Sequence, residues 1–218
     1  LQNGHSYTVY TRGRSIDDVW PGDPDGNASH TWTVDTAYSQ LMINEVLAHS
    51  HGLDPDIIEL YYEGSSPLDM EDMSITDDPA VPRKYVFLAG ATINPGQYLV
   101  YYADLSLAPG HLGFSLYSNG EGLYLYDKLS NGGGLIDSVE FGIQPNSISI
   151  GRVGWAKEWK LTYQTFGQAN ELCPLDNPKN IKINEWLANG RVLFEDDFIE
   201  LYNPGKQPVD LSGFYISD

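Results

Sequence analysis

The stretch "IKINEWLANG" at residues 181–190 repeats one that stands earlier in the chain, "LMINEVLAHS" at residues 41–50. The correspondence continues, because "DIIELYYEGSSPLDMEDMSITD" (56–77) returns as "DFIELYNPGKQPVDLSGFYISD" (197–218). So long an in-register match indicates a tandem repeat, which has to be recognised before a fold is assigned. The first copy runs on for roughly a hundred residues beyond the repeated part, so we expect the chain to be a piece of a longer protein.

Composition favours strands over helices. The 218 residues include 15 Tyr, 22 Gly and 13 Pro, and long runs of Ala, Leu, Glu and Lys are missing. Aromatic residues are enriched in strands, and Gly and Pro in the turns between them. We therefore expect an all-β protein, with enough apolar residues (41%) for a packed core.

The charge argues against two classes of partner. The formal net charge is -18, and the 12 Lys and Arg residues are scattered through the chain. Such a surface repels nucleic-acid phosphates and anionic lipid headgroups, so we expect no nucleic-acid partner. No apolar run approaches the ~20 residues of a membrane-spanning helix, so no membrane span is expected in this chain. Cys173 is the single cysteine, which excludes an intramolecular disulfide.

Two alternating stretches near the start, "YTVYTRG" (7–13) and "HTWTVD" (30–35), predict half-buried strands. Two strands cannot bury both of their faces, so we expect residues 1–39 to be the last strands of a sandwich that begins upstream. The spacing of Leu1, Gly4 and Tyr7 resembles the tyrosine corner of fibronectin type III and immunoglobulin-like domains. The absence of a visible signal peptide therefore says nothing about export.

Residues 41–170 have the pattern of one unit built from many short strands. The predicted strands are "MINEVLA" (42–48), "IIELYY" (57–62), "YLVYYAD" (98–104), "GLYLYD" (122–127), "IDSVEF" (136–141) and "SISIG" (147–151). Turn-forming stretches rich in Gly, Pro, Asn and Asp separate them, which is typical of a β-sandwich or barrel. The stretch at 98–104 is apolar on both faces and predicts a central strand. We expect no helix of three turns.

These motifs resemble the lamin tail domain family, in its bacterial extracellular form. The stretches that carry the resemblance, in chain order, are "INEVLA" (43–48), "IELY" (58–61), "ITDD" (75–78), "PGQYLVYYAD" (95–104), "DSVEFG" (137–142) and Gly151-Arg152, closed by Trp159, Thr165, Gly167, Ala169 and Asn170. In the second copy, "IELYNPG" (199–205) and "VDLSGF" (209–214) fit as well. We assign residues 40–172 to a lamin tail domain, 173–180 to a linker and 181–218 to the N-terminal part of a second one.

The resemblance implies an immunoglobulin-like β-sandwich and a non-enzymatic role, since no catalytic residues are known for the family. We expect a structural or adhesive module of a large secreted or cell-surface bacterial protein. Its partners would be other domains of the same polypeptide and a cell-surface polymer or protein. The alternative is a carbohydrate- or ligand-binding accessory module attached to an extracellular hydrolase or a spore-coat-type kinase.

Asn44, Glu45 and Glu59 on the two opening strands are a candidate metal or acid–base site. The structural alternative places Glu59 off the core face, between Ile58 and Leu60, and Glu45 on the same face as Ile43 and Leu47. Both glutamates recur in the second copy, which favours a structural role. We therefore expect Glu59→Ala to cost little stability.

His49, His51 and Asp54 form a zinc half-site pattern, but zinc needs three or four fixed protein ligands. The second copy has Asn189-Gly190-Arg191 there, which indicates a loop that varies between repeats. The stretch "DPDGN" (23–27) resembles a calcium loop, but its glycine comes one place too early for the hand-type pattern, so a turn explains it as well.

The glycine-rich stretch "NGGGL" (131–135) lacks the Lys-Ser/Thr of a phosphate-binding loop and predicts a hairpin turn. Cys173 stands among prolines with no histidine nearby in the sequence, so no catalytic thiol is expected. We predict no catalytic, cofactor-binding or metal-binding residues and no cofactor. The aromatic residues that could instead form a sugar-stacking platform are Tyr61, Tyr62, Tyr101, Tyr102, Trp155 and Trp159. An exposed row of them beside a polar groove would favour ligand binding, and scattered, buried aromatics would favour the structural role.

Overall fold

The computed structural model describes residues 5–11, 28–33, 40–188, 197–211 and 213–217. Leu1 and Gly4 of the predicted tyrosine corner lie outside the described residues, as does the calcium-loop-like stretch at 23–27.

The described residues form short antiparallel strands joined by turns. The strands are β1 (Ser6–Thr11), β2 (Ala28–Thr33), β3 (Leu41–Leu47), β4 (Asp56–Tyr62), β5 (Leu68–Asp69), β6 (Ser74–Thr76), β7 (Tyr85–Val86), β8 (Thr92–Ile93), β9 (Tyr98–Ala103), β10 (Glu121–Tyr126), β11 (Leu135–Phe141), β12 (Ser149–Val153), β13 (Glu158–Thr162), β14 (Lys182–Leu187) and β15 (Phe198–Tyr202). The described helical segments are two single 3₁₀ turns, Leu129–Asn131 and Pro178–Asn180. The all-β prediction is confirmed, and no described helix is long and apolar enough to cross a membrane.

Two sheets pack face to face between residues 41 and 162. The larger sheet has the order β13-β12-β3-β4-β9 and the smaller one β11-β10-β6-β7. Each sheet contributes one apolar face to a common core, which is the arrangement of an immunoglobulin-like sandwich. The largest fully buried core side chains are Leu41, Ile43, Ile58, Leu60, Tyr62, Met70, Met73, Ile75, Phe87, Ile93, Leu123 and Leu125.

Strand alternation explains which residues of β4 enter this core. Ile58 and Leu60 are both fully buried and belong to the core cluster, as the pattern of the sequence predicts. Across the strand pair, Leu60 lies opposite Ile43 on β3 and opposite Leu99 on β9. The intervening residues of β4 point to the outer face of the larger sheet.

The prediction of a central strand at 98–104 is wrong, because β9 is an edge strand of the larger sheet. Its inner face packs on the core through Leu99, Tyr101 and Ala103. Its outer face is partly covered. The loop that follows β9 hydrogen-bonds to the free edge, since the Tyr102 N–H donates to the Gly110 carbonyl at 2.8 Å and the Leu112 N–H donates to the Tyr102 carbonyl at 2.9 Å. Apolar residues on both faces therefore reflect a shielded edge rather than a central position.

Two further hairpins stand outside the sandwich. One is β1–β2, whose backbone pairs from Ser6 opposite Thr33 to Thr11 opposite Ala28. The other is β14–β15, in which Ile183 lies opposite Leu201 and Glu185 opposite Glu200, with a bulge between Ile183 and Glu185. Both hairpins fall where the sequence predicts strands.

We expect residues 40–173 to fold alone, because the two sheets share one core. The segment extends to Cys173 because the Cys173 N–H donates to the carbonyl of Leu161 on β13 at 2.9 Å. A shortened chain of these residues should unfold in one cooperative thermal transition, close in midpoint to that of the same segment in the full chain. Circular dichroism at increasing temperature measures this, and a broad, non-cooperative melt would contradict it.

Candidate functional site: a buried carboxylate pair under the closing segment

A β-bulge at Asn44 places two glutamates opposite each other. In the β3–β4 pair, Ile43 lies opposite Leu60 and Glu45 opposite Glu59, so Asn44 is the extra residue. One extra residue reverses the faces of all residues that follow it. The expectation that Glu45 shares a face with Ile43 is therefore wrong: Ile43 faces the core, and Glu45 lies on the outer face together with Glu59 and Leu47.

The outer face is covered at this point by residues 163–170, which we call the closing segment. Glu59 is consequently fully buried, and so is Glu45. Glu59 does point off the apolar core, as predicted, but it does not reach solvent. The expectation that Glu59→Ala costs little stability rested on an uncovered outer face, and this structure removes that basis.

Glu59 uses both carboxylate oxygens as acceptors. Its Oε1 accepts a 2.8 Å hydrogen bond from Asn44 Nδ2. Its Oε2 accepts a short hydrogen bond from the backbone N–H of Gly167 in the closing segment. Gly167 has a φ of 86°, in the left-handed region that glycine adopts without strain, which brings its N–H towards the carboxylate.

Glu45 holds the same segment through a second set of bonds. It accepts hydrogen bonds from the Ser149 hydroxyl on β12, from the Thr165 N–H at 3.0 Å and from the Thr165 hydroxyl at 3.2 Å. Asn170 completes the closure by donating from Nδ2 to the carbonyls of Asn44 and Arg152, each at 3.0 Å. Hydrogen bonds from Thr165, Gly167 and Asn170, at the end of the unit, therefore hold the closing segment over the two glutamates.

Burial is the main influence on both carboxyl groups. It raises the pKa of Glu45, against the lowering effect of the Ser149 and Thr165 hydrogen bonds. It raises the pKa of Glu59 to about 7, with a further contribution from the neighbouring charge of Glu45. Among the ion pairs of the described residues, none involves either glutamate. Two neighbouring buried carboxyl groups that form no ion pair retain a proton more readily than exposed ones.

This raised pKa predicts a pH-dependent stability. Because the folded protein binds the Glu59 proton more tightly than the unfolded chain, the stabilising contribution is complete below the ordinary pKa of 4.5 and is lost as the pH rises through about 7. At about 1.4 kcal/mol per pKa unit, the free energy of unfolding should fall by roughly 3 kcal/mol across this pH range.

Glu59→Gln provides the matched control, because it keeps the shape of the side chain and does not titrate. Urea unfolding of both proteins at about pH 5 and about pH 8 should show the larger loss in the wild type. Equal losses in the two proteins would show that Glu59 does not titrate in this range.

A second polar cluster joins the two sheets. Asp137 on β11 accepts from Arg152 Nη2 on β12 at 2.8 and 3.0 Å and from the Ile43 N–H at 2.8 Å. Arg152 also donates from Nε to the Ile43 carbonyl at 2.9 Å, and its guanidinium lies 4.7 Å from the Trp159 ring centre. Asp137 and Arg152 both belong to the sequence motifs quoted above, but nothing in the sequence near either residue indicates that the two form an ion pair.

Arg152→Ala should lower the free energy of unfolding by about 2 kcal/mol, because it leaves the Asp137 carboxylate without its charged donor. Lys160→Ala on the adjacent strand is the control. Lys160 pairs with Glu158 in an exposed ion pair, and such pairs contribute about 0–1 kcal/mol. Denaturant unfolding of both variants compares the two effects, and equal losses would exclude an inter-sheet role for Arg152.

The zinc half-site residues are not brought together. His49 Nδ1 lies 2.9 Å from the Gln144 carbonyl oxygen, whereas His51 and Asp54 are exposed on the loop between β3 and β4. In the described part of the chain, no group of three or more His, Cys, Asp or Glu residues is placed to hold a metal ion. The glycine-rich stretch forms the turn between β10 and β11, as predicted. Cys173 is buried, and burial raises the pKa of its thiol, which makes it less reactive.

The candidate aromatic residues do not form one surface. Tyr62 is buried and Tyr101 packs on the core, so of the adjacent pair only Tyr102 is exposed. Tyr61 stacks on Tyr98 at 4.5 Å between ring centres. Trp155 stands almost fully exposed in the turn between β12 and β13.

A cavity of about 310 Å³ lies where β3 ends and β4 begins, lined by Leu47, His51, Asp54, Ile57, Tyr102 and Gln164, among others. Sequence reasoning named His51, Asp54 and Tyr102 separately. Their convergence depends on the order of the strands, which the sequence does not encode locally.

Comparison with known families identifies the fold. The family model described as Lamin Tail Domain matches residues 34–142, which is 109 of the 218 residues. No curated protein and no solved structure matches the chain. The matched region ends after β11, and β12 and β13 continue the larger sheet of the same sandwich. With half of its residues matched by the family model, and with the described ones among them forming part of an immunoglobulin-like sandwich, this chain belongs to the lamin tail domain family.

Proposed function

We propose that the chain is a non-enzymatic structural module of a large secreted or cell-surface bacterial protein. The observation that carries this proposal is the use of its two buried glutamates. Glu45 and Glu59 are fully buried, and their oxygens accept hydrogen bonds from groups that hold the domain closed. A carboxylate pair arranged for acid–base chemistry needs access to a substrate, and these two have none.

The aromatic residues support the same function. Of the six candidates for a sugar-stacking platform, Tyr62 and Tyr101 are in the core, Tyr61 stacks on Tyr98, and Trp155 stands alone in a turn, so they form no exposed row beside a groove. This distribution is what the structural role predicts. One observation favours the alternative, a ligand-binding accessory module, namely the cavity beside Tyr102.

We further propose that residues 181–218 are the opening part of a second lamin tail domain. The β14–β15 pair has its bulge after Ile183, as β3–β4 has after Ile43. Asn184 Nδ2 hydrogen-bonds to Glu200 as Asn44 does to Glu59. The equivalents of core residues line an apolar groove of about 670 Å³, namely Ile183 for Ile43, Leu201 for Leu60 and Ile216 for Ile75.

The connection between the units has contacts that limit its freedom. The Asp176 N–H donates to the Pro208 carbonyl at 2.8 Å, and the Asn177 side chain accepts from the Lys179 N–H at 3.0 Å. A short connection of this kind, containing Pro174 and Pro178, suits successive sandwiches that space or display other parts of a polypeptide. The β1–β2 hairpin then belongs to a preceding fibronectin-like domain, and the acidic surface keeps such an array soluble.

Localisation tests this proposal. An antibody against residues 41–170 should label intact cells of the source organism or its culture medium. Protease added outside the cells should remove the cell-bound signal. Detection only after lysis, in the cytosolic fraction, would overturn the extracellular assignment.

A further inference from the structure

We propose that the cavity beside Tyr102 is a binding site for a neutral pyranose sugar. This inference goes beyond the structural role and does not depend on it. The cavity, of about 310 Å³, lies on the outer face of the larger sheet, between the β3–β4 loop and the edge strand β9. This volume is at the lower end of the range of small-molecule sites and suits one or two sugar rings.

Tyr102 supplies an aromatic wall that is fixed in place. The residue is 42% exposed, so the ring is available to a ligand. His111 lies beside it with ring centres 5.2 Å apart, and His111 Nδ1 is 2.9 Å from both carboxylate oxygens of Asp104. The backbone of Tyr102 is also bonded on its free edge, to Gly110 and Leu112. A rigid tyrosine offers contact area at low entropic cost, and the apolar face of a pyranose packs on such a ring.

The remaining walls divide into an apolar floor and a polar rim. Leu47 and Ile57 lie opposite each other on β3 and β4 and form the floor. On the rim, no described residue hydrogen-bonds to the side chain of His51 or Asp54. Gln164 donates from Nε2 to the Ser147 carbonyl at 3.0 Å, which turns its amide so that Oε1 is left to accept. Hydroxyl groups of a sugar can donate to the Asp54 carboxylate and to Gln164 Oε1 and accept from His51.

The charges of the cavity select against acidic ligands. No Lys or Arg lines it, whereas Asp54 is part of its wall. With a net charge of -18 on the whole chain, phosphates, uronic acids and nucleotides are disfavoured. A neutral sugar can stack on Tyr102, form hydrogen bonds with the polar rim and avoid repulsion by Asp54.

Titration of the full chain with sugars tests the site. The probes are maltopentaose, cellopentaose and the β-1,4-linked pentamer of N-acetylglucosamine, with pentagalacturonate as the acidic control. In two-dimensional NMR spectra of the wild-type protein, at least one neutral probe should shift signals of residues 47–57, 102 and 164, and pentagalacturonate should not. Shifts centred elsewhere, or none at about 10 mM sugar, would overturn the proposal.

Matched variants test the residues. Tyr102→Leu and Asp54→Asn should each weaken binding about tenfold, since they remove the stacking wall and a charged acceptor. Trp155→Leu is the control, because Trp155 is an exposed aromatic residue in the distant β12–β13 turn. Binding lost in Trp155→Leu but kept in Tyr102→Leu would refute the site. The wild-type spectra decide the question even where a variant folds poorly, and failure here leaves the structural proposal standing.

Discussion

Leu60→Ala should lower the free energy of unfolding by about 2–5 kcal/mol, the range of buried leucine truncations. Leu60 is fully buried at the centre of β4, between Ile43 on β3 and Leu99 on β9. Both neighbouring strands are held in the sheet, so the core cannot collapse fully into the space that the truncation leaves. Urea unfolding measures the loss as a change in the transition midpoint.

Leu60→Met is the control for this variant, because it conserves volume and should cost less than about 1.5 kcal/mol. A loss below about 1 kcal/mol for Leu60→Ala would mean that the side chain does not sit in a closed core. The strand alternation that places Ile58 and Leu60 inwards would then be wrong.

Glu59→Ala should be nearly as damaging, with a loss of roughly 2–4 kcal/mol. The truncation leaves the buried Asn44 amide and the Gly167 N–H without the carboxylate that both donate to, and a buried group without a partner costs about 1–3 kcal/mol. Part of this loss is offset at neutral pH, because a buried carboxyl group carries its own desolvation cost.

Two controls separate this mechanism from a general effect of removing a glutamate. Glu63→Ala removes an exposed carboxylate that pairs with Lys157, and it should cost less than about 1 kcal/mol. The loss of stability in Glu59→Gln should lie between the losses in Glu59→Ala and Glu63→Ala. The glutamine carbonyl can still accept from the Gly167 N–H, and the Asn44 amide can turn so that its oxygen accepts from the glutamine amide. If Glu59→Ala is as harmless as Glu63→Ala, the closing segment does not depend on this carboxylate.

Local patterns in the sequence predict a large part of the fold. The alternation of Ile58, Glu59 and Leu60 assigns the inner and outer faces of β4 correctly, because a strand has a period of two. The same argument fails on β3, since the bulge at Asn44 changes the period where the two glutamates lie. The position of β9 is missed for a different reason: apolar residues on both faces are equally consistent with a central strand and with an edge that a loop covers.

The candidate site is less accessible to sequence reasoning, because its parts are distant in the chain. Glu59 meets Gly167 across 108 positions, and Glu45 meets Thr165 across 120. One signal does point to it. The recurrence of Asn, Glu and Glu as Asn184, Glu185 and Glu200 marks these polar residues as part of the fold. Their hydrogen-bond partners, and hence the burial of the pair, follow only from the folded structure.

Hydrogen exchange at the Gly167 amide shows whether the buried carboxylates hold the closing segment in place. In the wild-type protein this N–H donates to the buried Glu59 carboxylate, so it should exchange far more slowly than a loop amide that makes no hydrogen bond. Glu59→Ala should accelerate its exchange, whereas Glu63→Ala should not. A Gly167 amide that exchanges in the wild type as fast as an unstructured peptide would show that Glu59 does not hold this segment.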